Sequence, residues 1–217
     1  MLALVLIPGS SVRGHDVSTN VTWNREISRI FVARCASCHR PGGAAFPMLT
    51  YQQATPWAAA IKETVLRREM PPWGAVKGFG AFRNDQALGQ EEIDLIRIWV
   101  DGGTPEGNPD HLAVSMVVPS PVVAEVRAGS ITVDGPYRLQ RPFVLDGFTV
   151  NKVPVNGNAR ITVEFPDGRI EPLVWLHGYR PQPGHPFLLS RPLVLPAGAR
   201  LHGLLNASLT LLPADTR

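Results

Sequence analysis

The hydrophobic period of this chain changes once, near residue 105. Before that point, apolar residues recur at helical spacing. After it, they alternate or gather in short runs between Pro and Gly. A 3.6-residue period and a 2-residue period bury different faces, so they specify different elements. The switch predicts two unlike domains: an all-α domain, then an all-β antiparallel sandwich. A length of 217 residues suits two small domains.

Three helices are predicted in the first part. Asn24 to Ala33 carries Ile27, Ile30 and Phe31 on one face and runs into Cys35. Thr55 is a candidate cap for the second helix, with Pro56 at its first position. Its apolar face would be Trp57, Ile61 and Val65, and it must stop before Pro71 and Pro72. The third helix spans about Gln90 to Asp101. Glu91 and Glu92 suit the positive end of its dipole. Ile93, Ile96, Trp99 and Val100 form one face, and Gly102-Gly103 ends it.

Thr104-Pro-Glu-Gly-Asn-Pro-Asp110 is a run of breakers and reads as the start of a linker. Beyond it, Ala159 to Phe165 alternates, Pro166-Asp167-Gly168 signals a turn, and Arg169 to Leu176 follows. That is a hairpin pattern. Short apolar segments at 121–126, 129–133, 146–153, 186–190, 192–195, 199–205 and 207–212 add further strands. Eight or so short strands at this spacing suggest a sandwich. The expected division is residues 1–19 as a signal-like or disordered N-terminus, 20–104 as the helical domain, 105–120 as the linker and 121–217 as the β domain.

The chain has 21 Pro and 20 Gly, which disfavours a long helical bundle. Its net charge of +3 is mildly basic. It has no Lys/Arg run and no basic-aromatic interleaving, which argues against a nucleic-acid partner. Met1 to Pro8 is an apolar run followed by Gly9, Ser10 and Ser11. A membrane span needs roughly 20 apolar residues, so this run is too short. It resembles the apolar part of a secretory signal without the positive leading segment. No later stretch is long and apolar enough to span a membrane.

Residues 35–39 read Cys-Ala-Ser-Cys-His and hold both cysteines of the chain. Cys-x-x-Cys-His is the attachment sequence of a c-type haem. Cys35 and Cys38 would add across the two vinyl groups, and His39 would bind the iron. A thioredoxin-like dithiol or half of a zinc site also uses a Cys-x-x-Cys pair. The dithiol normally opens a helix inside a βαβ unit, whereas this pair ends a helix. Zinc usually needs a second ligand pair, which the sequence lacks. The iron's other axial position could stay open or take a Met, which raises the potential. The candidates are Met48, Met70 and Met116. Met48 is only nine positions beyond His39, and Met116 lies beyond the linker start. Met70, held by Pro71 and Pro72, is the preferred distal ligand. Phe31, Trp73 and Trp99 are candidate pocket walls, and Arg67 or Arg68 could pair with a propionate. A carbonyl between Pro41 and Pro47 should accept the His39 Nδ1–H.

Five segments carry a family resemblance: Val21–Ile27, Cys35–Gly42, Thr50–Trp57, Met70-Pro-Pro-Trp73 and Glu91–Trp99. Together, over about residues 20–107, they resemble a bacterial monohaem cytochrome c domain. Such domains often precede a module similar to the copper type II, ascorbate-dependent monooxygenases. The resemblance implies one covalent haem c on Cys35, Cys38 and His39, with Met70 as distal ligand. It also implies a periplasmic or secreted location, since haem attachment to this motif happens outside the cytoplasm. Gly89 stands where the family usually has a Ser-like cap. Glu171–Trp175, Tyr179–Pro181 and Arg191–Leu201 resemble the closing β-half of the monooxygenase-like module, without any His-x-His pair.

Two functions follow. The first is a single-electron carrier whose β domain docks it to a redox protein or a larger membrane-associated electron-transfer complex. The alternative is a reduced copper monooxygenase fed by its own haem, with copper on His177, His185 and His202. A structural subunit, with haem as fold stabiliser, would show repeats or low-complexity tracts, and neither occurs in the sequence.

Overall fold

The structure is a computed structural model that describes residues 20–112, 127–181 and 184–214. The signal-like segment, the expected strand at 121–126, Met116 and the linker residues 113–120 lie outside the described residues.

Helices fill the first part. A π turn over Trp23–Ile27 runs into helix α1 at Ser28–Arg34. Ile27, Ile30 and Phe31 are buried, as their spacing requires. Helix α2 covers Tyr51–Ala54, and a 3-10 turn at Thr55–Trp57 leads into α3 at Ala58–Leu66. The cap is Thr50 rather than the expected Thr55. Thr50 Oγ1 accepts from Gln53 N, and Gln53 Oε1 accepts from Thr50 N. This reciprocal box satisfies two end donors. Thr55 instead donates its hydroxyl to Tyr51 O within the helix. Ile61 and Val65 face inward as predicted, but Trp57 does not. Ala54 and Ala58 take the inward positions of that turn.

Helix α4 spans Gln90–Asp101. Gly89 offers no side-chain cap, so Glu92 Oε2 accepts from Gly89 N at 2.7 Å. Ile93, Ile96 and Trp99 enter the core. Trp23 touches both Phe31 and Trp99, with ring centroids 5.0 and 5.8 Å away. Burying three large aromatics is a major source of stability for so small a helical unit.

Residues 104–112, expected to open the linker, are bonded to this helical unit. Trp23 N and Asn24 N donate to Pro105 O and Glu106 O, at 3.0 and 2.9 Å. Trp99 Nε1 also donates to Pro105 O, and Tyr51 Oη donates to Thr104 O. Among the described residues, no helix is long and apolar enough to cross a membrane.

The second part contains eight described strands: β1 Ile131–Asp134, β2 Tyr137–Arg138, β3 Phe143–Lys152, β4 Ala159–Glu164, β5 Ile170–Leu176, β6 Pro186–Leu195, β7 Arg200–His202 and β8 Ser208–Pro213. They form two four-stranded antiparallel sheets, β1-β8-β3-β6 and β2-β7-β4-β5. Inward residues of both sheets share one buried cluster, including Leu145, Phe148, Ile161, Val163, Phe187 and Leu211. The predicted hairpin is β4–β5, with Gly168 (φ 84°) closing its turn. The segments at 186–190 and 192–195 form one strand, β6.

The connection between α3 and α4 links the two parts. It lies along both sheet edges that β5 and β6 would otherwise leave open. Ala75 bridges Leu176 of β5, and Phe82 bridges Leu189 of β6. Val76 N donates to Trp175 O, and Arg83 N donates to Leu188 O, at 2.8 and 2.9 Å. Covering an edge removes a row of unpaired backbone groups. Gly74 permits the close approach. Its φ is +67°, and a Cβ there would sit 2.6 Å from Tyr179 Cδ2.

Candidate haem site

Cys35 follows α1 directly, and its N–H donates to Phe31 O at 2.9 Å. The chain then makes one more turn. Cys38 N and His39 N both donate to Cys35 O, at 3.1 and 2.8 Å. Two free thiols and one imidazole are thereby gathered on a single turn. The loop after them folds back over the imidazole. Gly43 N donates to Arg40 O and Ala45 N to Cys38 O. A Cβ at Gly43 would sit 2.3 Å from Cys38 O, so only glycine fits.

This fold-back brings Phe46 O to 2.9 Å from His39 Nδ1. A carbonyl can only accept, so Nδ1 carries the proton and the Nε2 lone pair is free for a metal. The accepting carbonyl lies within the 41–47 segment, where the sequence suggested one. The Phe46 ring meets His39 edge-on at 5.2 Å and lies 4.8 Å from Trp57. Both Phe46 and Trp57 are 48% exposed.

A cavity of about 360 Å³ is lined by residues from α3, the α3–α4 connection, α4 and the β part; Cys35, Cys38 and His39 are not in its lining. Ligand pockets are typically about 300–1,000 Å³. Val65, Leu88 and Ile93 form its apolar wall. These three belong to the same buried cluster that Cys35 packs against. Met70 lines the cavity from the α3–α4 connection, and His177 lines it from the β part. Helix α3 ends with Arg68 in the left-handed region at φ 55°, which turns the chain toward Met70.

Burial pushes the Cys35 thiol up to about 12, with smaller contributions from Glu92 and Cys38; Arg34 opposes the shift. The donor set, two thiols and an oriented imidazole on one turn, fits a covalently held haem.

The other candidates divide. Met48 is buried in the helical core. Phe31 and Trp99 also belong to that core, away from the cavity lining. Trp73 borders the cavity, but its ring is buried in the β cluster. Arg67 is taken up by Glu63 and Glu69 on the surface, and Arg68 lines the cavity instead. Helical spacing showed that only one of the pair could face inward; the left-handed turn at Arg68 selects which.

The three histidines of the copper alternative stand apart. His202 Nε2 pairs with Glu164 Oε2 at 2.6 Å. His185 stacks on Trp73, and its Nε2 lies 3.3 Å from Pro72 O. Burial holds the His185 imidazole below its usual range. His177 is at the cavity. Among the described residues, no three His, Cys, Asp or Glu side chains are grouped to hold a metal ion. Sequence reasoning named Arg68 as a possible propionate partner but missed Lys77 and His177 as cavity residues. No local pattern signals a contact between residue 177 and the end of α3.

Residues 24–97 match the family model described as cytochrome C oxidase, cbb3-type, subunit III. With the geometry of Cys35, Cys38 and His39, this match supports a monohaem cytochrome c domain in the helical part. It likewise supports a haem electron-transfer role. No curated protein and no solved structure matches the chain.

Proposed function

We propose that this chain is a periplasmic or secreted c-type cytochrome that carries one electron at a time on a single covalent haem. The observation that carries this reading is the turn of Cys35, Cys38 and His39, with His39 Nδ1 bonded to Phe46 O. Cys35 and Cys38 would hold the group through thioethers, and His39 Nε2 would bind its iron. Met70 Sδ would be the iron's second protein ligand. When bound, the haem supplies a one-electron iron centre whose potential a Met/His pair raises.

Phe46 and Trp57 give partners an aromatic surface next to the proximal ligand. We read the paired sheets as a sandwich derived from a copper type II monooxygenase-like module. In this reading the β part docks the carrier to a redox partner or a larger membrane-associated complex. The matched family's name, which places its members in an oxidase, supports a partner of that kind.

Visible spectra of the matured full-length protein test the reading. A sharp α-band on reduction and a weak sulfur–iron band on oxidation are expected. Met70→Ala should abolish the weak band; its persistence would remove Met70 from the role.

A further inference from the structure

We propose that one end of the β part seats on an anionic lipid surface, with Val155 and Leu205 as its inserted tips. The inference deepens the proposed role of a docked carrier and rests on it.

Strand register defines this end. Lys152, the last residue of β3, pairs with Ser208, the first of β8. Asp134 of β1 pairs with Ser208 from the other side. The β3–β4 turn and the β7–β8 turn therefore leave their sheet side by side. Val155 in the first turn is fully exposed, and Leu205 in the second is 76% exposed. In the other sheet, Ala159 pairs with Leu176 and Arg160 with Trp175, so the indole of Trp175 belongs to the same end. It is half-exposed.

Single exposed aliphatic side chains are ordinary. These two are held out by turns that are fixed from beneath. Gly157 N donates to Pro154 O at 2.8 Å, and Tyr179 N donates to Gly157 O at 3.0 Å. Asn158 Oδ1 accepts from Gly178 N at 2.9 Å. In the second turn Leu204 is buried, Ala207 N donates to Leu204 O, and Asn206 takes the left-handed conformation at φ 58°. Gly203 lies so close to Arg160 O that a Cβ would collide with it. Tips ordered in advance lose little entropy on contact.

Charge selects the partner. Lys152, Arg160 and Arg180 are exposed at this end, and none forms an ion pair with a described residue. Arg160 instead lies over the rings of Phe79 and Trp175, at 5.0 and 5.8 Å. Segments 153–158, 177–181 and 203–207 contain no acidic residue. Asp134 is the carboxylate beside them. Aliphatic tips flanked by cations and an indole match a lipid interface. The tips enter the acyl boundary, the cations meet anionic headgroups, and Trp favours the boundary itself. Two separate protruding tips suit a layer that deforms around them better than a preformed protein pocket.

Sedimentation of the matured, full-length protein tests this. The vesicles are phosphatidylcholine alone, or phosphatidylcholine mixed with phosphatidylglycerol. The account expects pelleting with the anionic vesicles, less with the neutral ones, and less as salt rises. Val155→Asp/Leu205→Asp should abolish it and leave the urea midpoint unchanged, because both side chains are exposed. Lys152→Gln and Arg180→Gln should each weaken binding about fivefold. Protein left in the supernatant with both vesicles would overturn the inference and give the tips to a protein partner. Pelleting that survives in the double tip variant would also overturn it, by placing the lipid contact elsewhere. Equal binding to both vesicles would overturn the choice of an anionic surface. Haem absorbance of the same samples reads the carrier proposal separately. Protein that pellets without haem would sink that proposal and leave the lipid contact standing.

Discussion

The indole of Trp73 lies flat on the imidazole of His185, with ring centroids 4.6 Å apart and planes 12° apart. Trp73 is three residues beyond Met70, and His185 directly precedes β6. The stack therefore pins the connection that carries the proposed distal ligand to the β sheets. Phe187 and Phe82 complete the contact around the indole, at 4.7 and 5.9 Å.

Truncating this indole should loosen both parts at once. Trp73 is 3% exposed. Deleting a buried Trp side chain costs about 3–5 kcal/mol. Trp73→Ala is expected to lower the urea midpoint by that equivalent and to weaken the sulfur–iron band under native conditions. A variant within about 0.5 kcal/mol of the parent, a shift typical of surface changes, would show that the stack holds nothing.

His185 should make stability pH-dependent in the mildly acid range. Its folded pKa lies below the usual imidazole value because burial disfavours the imidazolium. The unfolded chain then binds the proton more readily, so stability is full above about pH 6.5 and falls as pH drops below it. Urea titrations between about pH 7 and 5.5 should show this loss, and His185→Gln should flatten it. An unchanged slope in the variant would assign the dependence to other groups.

Glu92 ties the start of α4 to the end of α1. One oxygen accepts from Gly89 N, and the other pairs with Arg34 Nε at 2.9 Å. Arg34 precedes Cys35 and also donates to Asp85 O. Hydrogen bonds to charged groups contribute about 1.5–3 kcal/mol. Glu92→Ala should destabilise by that order, and Glu92→Gln by less. Thermal melts of the three proteins would rank them; equal midpoints would contradict the assignment.

Gly43 should control haem loading. A methyl group there would collide with Cys38 O, and the loop that presents Phe46 O to His39 could not close as observed. Gly43→Ala is expected to mature with a lower ratio of haem absorbance to protein than the parent. Full loading with an unshifted spectrum would mean the loop has another route over the imidazole.

The helical half was legible because its faces are written locally. Ile27, Ile30, Phe31, Ile93, Ile96 and Trp99 follow helical spacing and are all buried. The motif at 35–39 was legible for the same reason: one turn holds all its groups. The cap was misread because Thr50 and Thr55 both suit a helix start, and only Thr50 has Gln53 three residues later to complete a box. The hairpin at 159–176 followed from its alternation and turn residues.

What the sequence could not show is which partner each face meets. Trp73 reads as a residue beside Met70, yet its ring belongs to the β cluster. That placement depends on β5 and β6, about 100 residues further on. Residues 105–112 read as breakers and are bonded to the helices, because backbone groups can pair wherever local shape permits. His177 carried no spacing signal toward the cavity at all.

The central claim is a single haem joined covalently at Cys35 and Cys38. Intact-mass spectrometry of the denatured, matured full-length chain tests it most directly. The account predicts the polypeptide mass plus one haem, with the addition lost in Cys35→Ala/Cys38→Ala. A mass equal to the bare polypeptide, with both thiols free to alkylate, would contradict it.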